Sequence, residues 1–146
     1  MSLRLAKREE LEIFDKLDRQ EHARRFINET GLKVHQSNFD DQKITYLCIE
    51  NPQDVFCGYI ILVKQVDTAS IEFRRILIDQ KQRGIGQVAI SEMEIYCRKD
   101  MGVRLIWLDV YDDNELGIHV YEKLGYRRFK EEPVGERRLL FYKKTL

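Results

Sequence analysis

The chain has 146 residues, of which 43% are hydrophobic and 34% charged, a composition typical of one globular domain. Its 25 basic and 25 acidic residues cancel, which argues against a surface built to bind DNA or RNA. No apolar run is long enough to span a bilayer, and the first residues lack a secretory pattern. We therefore expect a single cytoplasmic domain over residues 1–146, with no nucleic-acid or membrane partner.

The first half of the chain is predicted to form a helix followed by an antiparallel meander. A short strand over residues 3–5 precedes a helix over residues 9–29, which Gly31 ends or kinks. The apolar residues of this helix are spaced for one buried stripe: Leu11, Phe14, Leu17 and Phe26. Three strands then follow one another through short turns and should pair antiparallel: residues 44–49, 55–66 and 70–78.

The second half alternates between helices and strands. The elements predicted there are a helix over 84–101 closed by Gly102, a strand over 104–110, a helix over 114–124 closed by Gly125, and strands over 126–131 and 137–143. A crossover from the strand 70–78 through the first helix makes the following strand parallel to it. The sheet is therefore predicted to be mixed.

Two glycines stand where a strand gives way to the helix that begins near residue 84. The first turn of a helix has backbone N–H groups without internal partners, and with the helix dipole these groups form an anion site. Gly84 and Gly86 would let an anion approach that backbone closely. Because two glycines can equally make a plain tight turn, this motif alone does not identify a phosphate site.

Two other phosphate motifs are alternatives for this loop. A Walker A loop requires Lys and then Ser or Thr after its last glycine, whereas Gln87 follows Gly86. The dinucleotide fingerprint is matched by Gly84, Gly86 and Ala89, with Asp109 at the end of the next strand. Three features count against this fingerprint. Residues 79–83 make the loop longer than the tight turn of the fingerprint, the strands before it form an antiparallel meander, and the chain after Asp109 is short for the second half of such a fold. An NAD-type binding domain stays the second hypothesis.

The stretch from residue 70 to residue 129 resembles the GNAT superfamily of N-acetyltransferases. The family's phosphate loop, Gln/Arg-x-x-Gly-x-Gly/Ala, corresponds to residues 81–86, with Lys81 in place of the usual first residue. Its second signature, an Asn followed seven residues later by a Tyr in a run ending Tyr-x-x-x-Gly-Phe/Tyr, corresponds to Asn114 and to residues 121–126. The two signatures occur in the family's order, separated by one helix and one strand.

The resemblance implies an α/β fold with a mixed, twisted sheet of six to seven strands flanked by about four helices. It also implies acetyl-CoA as the acyl donor, an amine as the acceptor and no metal. The pantetheine arm of the donor would lie along backbone groups of Arg74, Arg75 and Ile76, and Asn114 would both begin a helix and bond that arm. The pyrophosphate would rest on a run of six residues: Gln82, Arg83, Gly84, Ile85, Gly86 and Gln87.

The resemblance also suggests catalytic residues. An alkyl ammonium has a pKa of about 10.4, so a base is needed at neutral pH. Glu72 could act as that base through a water, and Asp109 is the other candidate, although each could instead be a structural or surface carboxylate. Tyr121 would donate a proton to the departing thiolate, unless its ring only packs on the helix. A backbone N–H near Ile76 or Leu77 would stabilise the oxyanion.

Several features leave the acceptor and the assembly open. Asp112, Asp113 and Glu115 form an acidic cluster that could attract a cationic amine or could simply be a solvated loop. The last hairpin offers apolar residues for a homodimer or for the core: Leu139, Leu140 and Phe141. The three cysteines lack metal-ligand spacing and are expected in the core, Cys97 included. A non-catalytic acyl-CoA-binding module remains a third hypothesis.

Overall fold

The computed structural model describes residues 1–24, 30–66, 69–79, 81 and 84–146. Seven strands form one sheet in the order β1-β2-β3-β4-β5-β7-β6. The strands are β1 Ser2–Leu5, β2 Ile44–Glu50, β3 Phe56–Lys64, β4 Ser70–Ile78, β5 Leu105–Tyr111, β6 Arg127–Val134 and β7 Arg137–Thr145. A 3-10 turn at Arg8–Glu10 precedes the helices α1 Leu11–Asp18, α2 Glu21–Arg24, α3 Leu32–Asp40, α4 Gly86–Lys99 and α5 Glu115–Lys123. None of these described helices is both long and apolar enough to cross a bilayer.

The sheet is mixed, as predicted. The strands β1 to β4 pair antiparallel in succession, β4 pairs parallel with β5, and β7 lies antiparallel between β5 and β6. The parallel contact follows from the crossover through α4, which joins β4 to β5. Every predicted strand is found, and β4 has the predicted bounds.

The prediction of one helix over residues 9–29 was wrong. The helix α1 ends at Asp18, a turn follows at residues 19–20, and α2 begins at Glu21. Phe26, assigned to the buried stripe, lies outside the described residues. The helix α3 was not predicted, because its one fully buried residue is the polar His35 and no apolar stripe marks its inner face.

Two hydrophobic clusters cover opposite faces of the sheet. On one face, α4 and α5 pack on the strands around Ile71, Ile106 and Met93. On the other face, α1 and α3 pack on β2 and β3, where the ring of Phe14 stacks on Tyr59 with centroids 4.5 Å apart. The buried residues of this second cluster come from the N-terminal segment, the helices and β2 to β4. None of these described residues comes from β5, β7 or β6, which continue the same face of the sheet.

The strands β3 and β4 approach each other closely at Gly58. A Cβ at this position would lie 2.2 Å from the carbonyl oxygen of Leu77, so only glycine fits. Farther along the pair, Ile61 faces Arg75 while Leu62 faces Phe73, which leaves Arg74 as an unpaired bulge residue. The bulge bends β4 in the region where its other neighbour, β5, turns away.

Candidate active site

The strands β4 and β5 are paired over only three residue pairs, the last of which joins Glu72 to Trp107. Beyond this point Phe73 and residues 75–78 pair with β3 alone, and Arg74 is the bulge residue without a partner in the register of either neighbouring strand. Strand-edge backbone groups without a ladder partner can bind an extended ligand as an added strand. The two strands separate beyond Glu72 and Trp107, and this gap is the parting of β4 and β5. The segment predicted to hold the pantetheine arm lies along it: Arg74, Arg75 and Ile76.

The loop predicted to bind phosphate leads into the first turn of α4. Gly84 has φ +94°, Ile85 is the N-cap, and the helix begins at Gly86. A Cβ built on Gly84 or on Gly86 meets no heavy atom within 4 Å, so the backbone there is open to an approaching anion. The first turn of α4 carries no acidic residue. Gln87 lies in that turn, whereas Gln82 and Arg83 fall outside the described residues.

Two carboxylates face the start of the parting between β4 and β5. Glu72 is bound by the guanidinium of Arg74 at 3.0 and 3.2 Å. Asp109 lies on β5, two residues beyond Trp107 and on the same face of that strand. Its side chain is solvent-accessible, yet the surrounding atoms displace enough water to raise its pKa, and the negative charge of Glu72 raises it further.

Tyr121 stands on α5 beside the same parting. Its ring packs edge-on against Phe73 of β4, with centroids 6.2 Å apart, and against Tyr126 at 6.0 Å. Burial raises the pKa of Tyr121 to about 12, and the charge of Asp109 adds to the shift. Tyr121 and the two carboxylates thus approach the parting from opposite faces of the sheet, near enough for the charge of Asp109 to act on Tyr121, which stays protonated at neutral pH.

Asn114 begins α5, as predicted. Its side-chain oxygen accepts the N–H of Gly117 at 3.0 Å, a standard N-cap bond. A Cβ on Gly117 would lie within 3.0 Å of the Asn114 side chain, so glycine leaves room for this cap. Because the oxygen serves the helix, only the amide nitrogen of Asn114 is left to donate to a bound molecule.

Arg75 belongs to a buried polar network that sequence reasoning missed. Its guanidinium donates to Thr30 at 2.7 Å and approaches Asp18 at 3.4 Å. Asp18, only 1% exposed, also accepts the hydroxyl of Tyr59 and, at 2.7 Å, the Nε2–H of His35. The side chain of Arg75 is thus directed to Asp18 and Thr30, and the backbone of Arg75 lies at the parting of the strands.

The network also explains a cluster of metal-binding residue types. Donor atoms of Asp15, Asp18 and His35 lie within 4.8 Å of one another. Both ring nitrogens of His35 are in hydrogen bonds, to Asp18 and to the hydroxyl of Tyr46, and both oxygens of Asp18 are in hydrogen bonds as well. The cluster is therefore satisfied as a hydrogen-bond network of the core.

Cys97, on the inner face of α4, is buried and unreactive. Cys97 is fully buried on α4, and burial raises the pKa of its thiol to about 12. A thiol this weakly acidic forms almost no thiolate at neutral pH. Because the side chain is also out of reach of solvent, Cys97 is a residue of the core, as predicted.

Sequence reasoning also missed an aromatic cleft of about 380 Å³ beside the carboxylates. Trp107, Phe129 and Phe141 line it from three different strands. The sequence shows that the last hairpin contains apolar residues, but it does not predict which face of the sheet each of them occupies. Leu140 joins the core, whereas Phe141 is half-buried on the cleft side.

An open strand edge next to carboxylates and a tyrosine, with an anion site at the start of the following helix, suits a long thioester that ends in phosphates. The fold and the site together define a CoA-dependent acyltransferase. A model of the acetyltransferase (GNAT) family matches residues 6–126, and the chain belongs to this family. Its members use acetyl-CoA as the donor, and the reaction class is transfer of an acetyl group to an amine. The NAD-type alternative is not favoured, since among the described strands β4 and β5 are the single parallel pair and the other neighbours are antiparallel.

Comparison with solved structures supports the fold. A chimera of spermidine N-acetyltransferase SpeG from Vibrio cholerae and hSSAT matches with a TM-score of 0.82 and 17% identity, over 99% of this chain and 94% of that one. A dodecameric structure of spermidine N-acetyltransferase from Vibrio cholerae matches with a TM-score of 0.80 and 17% identity, over 99% and 92% of the two chains. At this identity the likeness concerns the fold alone. No curated protein sequence matches the chain.

Proposed function

We propose that this enzyme transfers the acetyl group of acetyl-CoA directly to a primary amine at the parting of β4 and β5. The observation that carries the proposal is the separation of β5 from β4 beyond Glu72, with Glu72 and Asp109 on one face of the sheet and Tyr121 on the other. The charge of Asp109 acts on Tyr121, so the two groups are near each other at this point. The amine would attack without an acyl-enzyme intermediate, and both substrates would be bound together.

The donor would be held by backbone groups at both ends of the parting. Bound acetyl-CoA supplies a thioester carbonyl that is activated toward amines. The open edge of β4 from Phe73 to Leu77 offers N–H and C=O groups to an extended arm, while the carbonyl of Ile78 is bonded to the ring of His22 at 3.0 Å. The N–H groups at residues 84–87 offer an anion site for the phosphates, with Gln82 and Arg83 adjoining them in the sequence.

Asp109 is the better placed of the two candidate bases. The carboxylate of Glu72 already holds the guanidinium of Arg74. The raised pKa of Asp109 brings this carboxylate closer to the proton affinity that a base requires at neutral pH. In this arrangement Glu72 contributes by its charge, which raises the proton affinity of its neighbour.

Tyr121 would act on the leaving sulfur as a hydrogen-bond donor. A free thiol has a pKa of about 8.5, well below the value of about 12 at Tyr121. Complete proton transfer from the phenol to the thiolate would therefore be unfavourable. The hydroxyl would instead stabilise the developing negative charge on sulfur.

The proposal is tested by following thiol release from acetyl-CoA over a panel of primary amines, with the N-acetyl product identified by mass spectrometry. Turnover with at least one amine supports it. If CoA raises the thermal unfolding midpoint but no amine, amino acid or peptide N-terminus reacts, the chain is an acyl-CoA-binding module. Stabilisation by NAD and not by CoA would contradict the proposal altogether.

A cytoplasmic location and self-association are part of the same proposal. A GNAT neighbour of the same fold is described as a dodecamer, which makes a subunit interface worth testing in this chain. Sedimentation velocity at micromolar concentration distinguishes a monomer from a homodimer or a larger assembly.

A further inference from the structure

The aromatic cleft lies on the same face of the sheet as the two carboxylates. It is lined by side chains of β4, β5, β7 and β6, among them Ser70, Leu105, Trp107, Phe129 and Phe141. The ring centroids of Trp107 and Phe141 are 6.3 Å apart, and so are those of Phe129 and Phe141. These distances are typical of interacting aromatic rings, so the three side chains form one continuous apolar wall.

Strand register places this wall directly beside the proposed catalytic carboxylates. Trp107 is the cross-strand partner of Glu72, and Phe141 is the cross-strand partner of Asp109. Partners in adjacent strands project to the same face and are separated by about 5 Å. A molecule whose amine reaches Asp109 therefore has the aromatic wall next to it.

The far side of the cleft carries positive charge. Lys143 is the cross-strand partner of Trp107 on β7, and its Nζ lies 5.0 Å from the centroid of the Phe129 ring. No carboxylate of the described residues forms an ion pair with Lys143. Lys130 lies over Phe141 at 4.7 Å and is paired with Glu132 at 2.8 Å. The order across the sheet is thus carboxylate, aromatic wall and ammonium.

We infer that the cleft holds the body of the acceptor, and that the acceptor is an aryl-alkyl amine with an anionic group at the end remote from the nitrogen. Its amine would lie at Glu72 and Asp109, its ring against the wall formed by Trp107, Phe141 and Phe129, and its anion toward Lys143. The inference rests on the proposed function, since it names the acceptor of that same reaction. A polyamine suits this cleft poorly, because Lys143 repels a second ammonium group.

The inference is tested first by substrate ranking with the wild-type enzyme and acetyl-CoA. We expect kcat/KM to be highest for 4-(2-aminoethyl)benzoate, lower for phenethylamine and lowest for spermidine. A higher value for spermidine than for the two aromatic amines would overturn the inference and leave the proposed function intact. Failure of every primary amine to react would instead contradict the proposed function.

A matched pair of variants tests the aromatic wall. Phe129 and Val134 lie on the same edge strand and are 46% and 42% exposed, but only Phe129 lines the cleft. Phe129→Ala should lower kcat/KM for phenethylamine by about tenfold, since an aromatic contact contributes about that factor, with KM for acetyl-CoA unchanged. Val134→Ala should leave both values at the wild-type level. Equal effects of the two substitutions would overturn the inference.

The charged end is tested by Lys143→Gln. This change should lower kcat/KM for 4-(2-aminoethyl)benzoate by about fivefold and leave phenethylamine unchanged, because only the first carries an anion. An equal loss for both amines would contradict a role in charge recognition. Sedimentation velocity of Phe129→Ala gives a further check. If this variant dissociates a wild-type oligomer while the ranking of amines is unchanged, the cleft is a subunit interface and the inference is overturned.

Discussion

Asp109 lies on β5 just past the last residue pair that joins this strand to β4, where burial and the charge of Glu72 both raise its pKa. The charge of Glu72 therefore acts on Asp109, and a change at Glu72 should be visible in the titration of Asp109. The effect of a substitution at Glu72 on the pH profile can therefore show whether Asp109 or Glu72 is the base. The sequence alone does not decide between them.

Glu72→Gln should move the acid limb of the kcat/KM profile to lower pH. The base must be ionised, so activity falls as pH decreases through the pKa of Asp109. Removing the negative charge of Glu72 lowers that pKa, while the larger effect of burial remains. The measurement is kcat/KM against pH for both proteins. If the limb disappears in Glu72→Gln, Glu72 itself is the base.

Tyr121→Phe should lower kcat by about ten- to hundredfold, the effect of losing one hydrogen bond to a developing charge. Binding of CoA should change little, because the ring still packs on Phe73. Steady-state kinetics and calorimetry with CoA measure the two effects. Tyr96→Phe, a half-buried tyrosine on α4, is the control and should keep the wild-type kcat. Equal rates for the two variants would remove Tyr121 from the reaction.

At the scale of elements, the start of α4 combines a backbone conformation that favours glycine with the proposed anion site. The helix begins at Gly86, two residues after Gly84, whose φ is +94°. A Cβ on either glycine would meet no heavy atom within 4 Å, so the backbone is open there. Glycine at residue 84 serves both the backbone conformation and the approach of an anion. An informative test at residue 84 compares two introduced side chains of the same shape that differ in charge.

Gly84→Asp and Gly84→Asn form such a pair, since both side chains have the same shape and both tolerate positive φ comparatively well. We expect the Asp variant to bind CoA at least about tenfold more weakly than the Asn variant, because its negative charge repels the phosphates. Calorimetric titration at low and high salt measures the ratio, which should shrink as salt screens the charge. Equal affinities would place the phosphates elsewhere.

The elements that periodicity predicted well are those that bury an apolar face. The bounds of β4 were predicted because Ile71 and Phe73 alternate with polar residues, and α4 because its apolar residues recur at helical spacing. The helix α3 escaped prediction because its buried residue is His35, whose burial depends on partners from α1 and β2. Local spacing carries no information about such partners.

At the scale of the whole molecule, the network around Asp18 joins segments distant in the chain. It connects α1 to α3 through His35, to β3 through Tyr59 and to β4 through Arg75. A buried carboxylate is tolerated only when hydrogen bonds and an opposite charge compensate it. The network therefore stabilises the packing of the helices on β4, the strand that carries the open edge.

Asp18→Asn should lower the free energy of unfolding by about 3 kcal/mol, because it removes the buried negative charge to which His35, Tyr59 and Arg75 are bonded. Asp113→Asn, which breaks an exposed ion pair with Arg137, should lower it by less than about 1 kcal/mol. Urea unfolding followed by circular dichroism measures both. Similar losses in the two variants would mean that the buried charge adds nothing to stability.

The sequence by itself determined the class of this protein. Two signatures, around Gly84 and from Asn114 to Tyr121, are local patterns, and the mixed sheet follows from the order of apolar segments and a handed crossover. Only the tertiary structure decided that β4 and β5 pair over three residue pairs, that Asp109 faces Phe141, and that Arg75 turns to Asp18. Strand register and buried ion pairs depend on packing between residues far apart in the chain, and no local spacing encodes them.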